Sequence, residues 1–201
     1  STDALIQGWQ QDSEDFSRFI ITELGQNDAL IIEPIDCNIR LDLTSVLTSA
    51  LSSALTSTLS SVENEQVLPD NALYSADELT KLSAILPRSI TLHSKVTVID
   101  NKGVLYRSSS AKAKDLFSLY LQQLMIQVAQ DNAINKAEPQ AQALLDVSAT
   151  HGYYFDTKSQ KPSQYYFSDI VDAKGQLIRL IQSFYLGQHQ PLLLNGDIVE
   201  K

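Results

Sequence analysis

The sequence predicts an α+β domain: a five-stranded antiparallel sheet, ordered strand-strand-helices-three-strand meander, with an N-terminal helical segment packed on it. Three observations predict it. Two ten-residue stretches, 98–107 and 170–179, share Asp, Lys, Gly, Leu and Arg at matching places, and each reads as strand, tight turn, strand. Between them lie helical apolar spacings and a pair of tyrosine-rich strands. Ahead of them the pattern is mostly helical. With 201 residues, 43% hydrophobic and 19% charged, the chain is long enough and apolar enough to bury a real core. The expected division is a helical segment over residues 1–74 and the sheet-bearing part over residues 75–201, the two forming one domain.

Residues 3–24 read as an amphipathic helix, because Leu5, Trp9, Phe16, Phe19, Ile20 and Leu24 recur near helical spacing and Gly25 can stop it. Residues 29–35 form a short apolar run broken by Pro34, which suits an edge strand or an extended connector. Residues 43–62 carry no charge, and eleven of these twenty are Ser or Thr. Leu43, Leu47, Leu51, Leu55 and Leu59 fall four apart, a slanting ridge that packs at an inclined angle if the segment is helical. Each Ser or Thr costs about 0.5 kcal/mol of helix propensity against Ala, so such a helix must be held by packing, either in a core or against another subunit.

Residues 63–74 read as a loop. Ser75 and Glu78 then form a capping box ahead of Leu79, Leu82, Ile85 and Leu86, and Pro87 ends that helix. Val96, Val98 and Ile99 run into Asp100-Asn-Lys-Gly103 and Val104 to Arg107, a hairpin with Gly where positive φ is needed. Ser108, Ser109 and Ser110 offer N-caps for a helix to about Asp131, with Phe117, Tyr120, Leu121, Leu124 and Val128 on its apolar face. Pro139 opens a shorter helix. Residues 152–156 and 164–169 are strands, the second running on into a turn at Asp172 to Gly175. Residues 176–186 read as the final strand, apolar on both faces.

The stretch Val96-Thr-Val-Ile-Asp-Asn-Lys-Gly-Val-Leu-Tyr-Arg-Ser108 resembles the first hairpin of Cache (PDC) sensor domains, where a hydrophobic strand meets an Asp-x-x-Gly turn. Over residues 75–187 the succession of elements resembles the five-stranded PAS/Cache sensor folds. The roadblock family shares strand-strand-helix-strands with a similar opening turn. The first resemblance implies a non-enzymatic ligand-sensing domain of a bacterial signal-transduction protein. The second implies a cytosolic protein or scaffold acting through protein-protein association, with the Leu43 to Leu59 ridge at its interface.

The chemistry-bearing residues point the same way. A net charge of -9 opposes contact with phosphate backbones, so no nucleic acid is expected as a partner. Cys37 is the one cysteine, which excludes an internal disulfide and a cysteine-rich zinc site. No metal-binding, phosphate-loop or nucleophile-elbow motif occurs, so neither catalytic residues nor a cofactor is expected. Asp100 and Asp172, at matching turn positions, read as acceptors for turn N–H groups rather than as an acid-base pair. Tyr153, Tyr154, Tyr165 and Tyr166 flank one hairpin, so one of each pair faces either side of the sheet. Arg107 falls on the face of Leu105, and Arg179 on that of Leu177 and Ile181. An Arg there either snorkels or anchors an anion. The candidate ligand-binding set is therefore Arg107, Arg179, Tyr106, His151, Tyr153 and Tyr166, for a small anionic ligand. A homodimer is the expected assembly, and a membrane is met only through segments outside this chain. The location is then periplasmic for an excised sensor and cytoplasmic otherwise.

Overall fold

The computed structural model describes residues 2–25, 34–43, 76–133, 144–156 and 158–189. Its elements are α1 (Thr2–Leu24), β1 (Ile35–Asp42), α2 (Ala76–Ile85), β2 (Ser89–Ile99), β3 (Lys102–Arg107), α3 (Ala113–Ala133), β4 (Ala149–Asp156), β5 (Lys161–Ser168) and α4 (Ala173–His189). The strands form one five-stranded sheet in the order β1-β2-β3-β4-β5. The α+β class, the five strands and the N-terminal helix are as the sequence predicts.

The sheet is mixed where an antiparallel one was expected. β2 and β3 pair antiparallel, as do β4 and β5, but β3 and β4 run parallel with Tyr106 opposite Tyr153. The cause is α3: a helix between two neighbouring strands returns the chain to the end from which it started, so the second strand repeats the direction of the first. The first hairpin therefore sits beside β4 and not beside the last strand, and β5 is an edge.

The fifth strand is also a different segment. Residues 173–189 form α4, not the closing strand of a meander. Leu177, Ile178, Ile181 and Gln182 are its buried positions, spaced as one helical face, whereas a strand would bury alternate residues. Gly175 lies inside this helix, so the second decapeptide is no hairpin; its turn is at Val171 and Asp172, with Asp172 at φ 53°. The missing strand is β1, in which Cys37, Ile39 and Leu41 are buried while Asp36, Asn38, Arg40 and Asp42 are exposed. Pro34 precedes it instead of breaking it.

In the first hairpin the positive φ angles belong to Asp100 (47°) and Asn101 (58°), the two residues of the loop. That is the turn whose twist matches its strands. Gly103 is needed for closeness: a Cβ there would stand 3.1 Å from both the Ile126 Cδ1 and the Thr150 Oγ1.

The chain divides into two compact units, Ser1–Ile39 with His93–Lys174 and Arg40–Leu92 with Gly175–Lys201. The expected boundary between residues 74 and 75 falls outside the described residues. In the first unit α3 covers one face of β3, β4 and β5, and α1 packs on the face of β4 carrying Tyr153 and Phe155. In the second, the Leu43 N–H donates to the Arg88 carbonyl (3.0 Å), and Leu41, Leu43, Leu79, Leu82, Leu177 and Ile178 are buried.

Candidate functional site

Alternation along the strands sorts the tyrosines as expected, and on the α1 side it builds an aromatic surface. The register sets Val104 opposite His151 and His151 opposite Tyr166, then Tyr106 opposite Tyr153 and Tyr153 opposite Gln164. α1 supplies the cover because Phe16, Phe19, Ile20, Glu23 and Leu24 recur every three or four residues and so share a face. Phe19 meets Tyr153 edge-on (6.5 Å between ring centroids) and stacks on Phe155 (5.4 Å). With Ile20 and Leu24 it packs on Ile99, Val104 and Tyr153. The Gln164 amide donates to the Glu23 carboxylate.

Of the predicted set, His151, Tyr153 and Tyr166 come together. The His151 ring stacks between Tyr153 (6.2 Å) and Tyr166 (5.6 Å), with planes within 20° of parallel: 16° and 19°. Tyr153 is buried, and burial followed by the Glu23 charge pushes its phenol up. Tyr166 is 66% exposed. His151 is half-buried, and desolvation, then the Lys102 charge, holds it below the ordinary histidine value, so it is the neutral ring that stacks. Tyr106 is also exposed and lies 6.2 Å from Phe16.

Arg107 does not join them, and Arg179 belongs to the other unit. Arg107 points to the α3 side, where its Nη1 donates to both carboxylate oxygens of Asp115, at 2.9 and 3.0 Å. The anion that this Arg needs is thus supplied by its own chain. Asp115 also accepts the Lys112 N–H (3.0 Å), the reach-back of a capping box, so the helix start is capped from Asp115 and not from the serines before it. Burial pushes the Asp115 carboxyl up, but the Lys112 N–H, the Arg107 hydrogen bond and charge, and Lys114 outweigh it and hold it below the usual aspartate value. Arg179 is on α4, in the other unit, and is engaged in an interaction of its own. Two residues along a helix turn about 200°, so it leaves the face of Leu177 and Ile181 on which a strand would have kept it.

The α3 side holds a polar ladder that sequence reasoning missed. The buried Thr150 Oγ1 donates to Gln123 (2.7 Å), Gln123 donates to Gln127 (3.3 Å), and Gln127 accepts the Ile170 N–H (3.0 Å) while donating to its carbonyl (3.2 Å). Gln130 donates to the Leu144 and Val147 carbonyls, both at 2.7 Å. The signal was legible: Gln123, Gln127 and Gln130 stand at helical spacing inside an apolar run. The Gln122 amide nitrogen is buried beside Gly103 with no hydrogen-bond partner among the described residues.

Among the described residues no group of three His, Cys, Asp or Glu is placed to hold a metal ion. Cys37 is buried, donates to the Met125 carbonyl (3.8 Å), and has its thiol pushed up to about 11 by desolvation, so it is protonated and inert near neutral pH. A shallow groove runs along α1 past Ser13, Glu14, Ser17, Arg18, Ile21 and Thr22, and its lining includes none of the predicted ligand residues. Of the predicted interface, Leu43 is buried just after β1 rather than on a helical ridge, and Leu47, Leu51, Leu55 and Leu59 lie outside the described residues. No helix among the described residues is long and apolar enough to cross a membrane.

Residues 3–198 match the family model of the RecC C-terminal domain. No curated protein and no solved structure matches the chain. The matched family names neither the PAS/Cache nor the roadblock type. It points to a DNA-repair protein of the RecBCD complex, and this overturns three expectations. A signal-transduction sensor is replaced, and so is the alternative of a roadblock-like scaffold: both rested on an order of elements and a generic hairpin turn, which proteins of unrelated function share. The keywords of sensing and signalling fall with them. The exclusion of nucleic acid and the small anionic ligand fall too, since RecC works in a DNA-binding complex. Net charge, on which the exclusion stood, is a sum over the whole surface and is blind to the assembly in which a domain works.

Proposed function

This chain belongs to the RecC C-terminal domain family, and from that premise we propose that it serves DNA repair as a non-catalytic domain of the RecC subunit within the RecBCD helicase–nuclease. The match over residues 3–198 carries this reading. The geometry supports the non-catalytic half of it. Among the described residues, four groups with chemical potential are engaged within the fold: Arg107 with Asp115, Thr150 with Gln123, Cys37 with a backbone carbonyl, and His151 with two tyrosine rings.

The test compares RecBCD carrying the full RecC chain with RecBCD whose RecC lacks this domain, on linear duplex DNA. Unwinding and degradation are expected to drop at least tenfold without it, and the 201-residue chain alone, with Mg²⁺, is expected to leave the DNA intact. Unchanged activity of the shortened complex would overturn the reading, as would cleavage by the isolated chain that a point substitution in it abolishes.

A further inference from the structure

We draw no further inference here: the strongest candidate, the aromatic patch at the β5 edge of the sheet where the exposed Tyr166 ring stacks on His151, carries none, because nothing in the structure shows what covers it.

Discussion

Tyr154 folds its ring back over Gly152, where a Cβ would come within 2.7 Å of the ring, and it meets Tyr165 from the neighbouring strand at 6.1 Å. Tyr165 is the register partner of Gly152, so the missing side chain is what lets two tyrosines share one place on the sheet. Gly152→Ala must push a buried ring off its seat and is expected to cost about 1–3 kcal/mol in urea unfolding; wild-type stability would show that Tyr154 swings away freely. Asp115 makes a pH-dependent contribution. Its folded pKa lies below the unfolded value of about 3.9, so the stability it lends is full above that value and is lost as pH falls through the folded pKa. Asp115→Asn should therefore unfold at lower urea than the parent at pH 7, and the gap should narrow once pH falls below the unfolded value and close below the folded pKa. A gap that stays constant with pH would assign the loss to packing alone. The sequence showed that Arg107 needs an acceptor but not that Asp115 would supply it, because the pair is made by the bend between β3 and α3 and not by spacing alone.

Elements were legible where one period dominated. α1, α2, α3 and the first hairpin all lie where apolar spacing puts them, and β4 and β5 follow their tyrosines. Residues 176–186 misled because an apolar run dense enough to fill both faces of a strand also fills a helix, and only tertiary packing decides between them. The helix separates residues that a strand would group: Ile178 is 1% exposed and Phe184 is 61%. Ile178→Ala is therefore expected to cost about 2–5 kcal/mol. Phe184→Ala should stay within about 0.5 kcal/mol, as for an exposed surface site. Equal, large losses by calorimetry would restore the strand. The glutamine ladder of α3 gives a second element-level prediction. Gln123→Leu strands the Thr150 hydroxyl in a dry core and should cost about 1–3 kcal/mol. Adding Thr150→Val should recover most of that, since the unmet hydroxyl leaves with it. A double variant as unstable as the single one would place the loss at Gln127 instead.

At the scale of the whole molecule, function was the least legible property. A sensor was expected because fold resemblance was allowed to stand for a site, and folds of one topology carry unrelated functions. The charge of -9 was read as a statement about partners, whereas it governs long-range forces and leaves the partner's identity open. It does constrain how association occurs: met by a partner surface of opposite sign, a charge of -9 steers encounter, and the rate at which this chain associates with the rest of RecBCD should fall about tenfold or more between 50 mM and 500 mM salt in stopped-flow measurements, whereas a rate indifferent to salt would show that the charge plays no part in encounter.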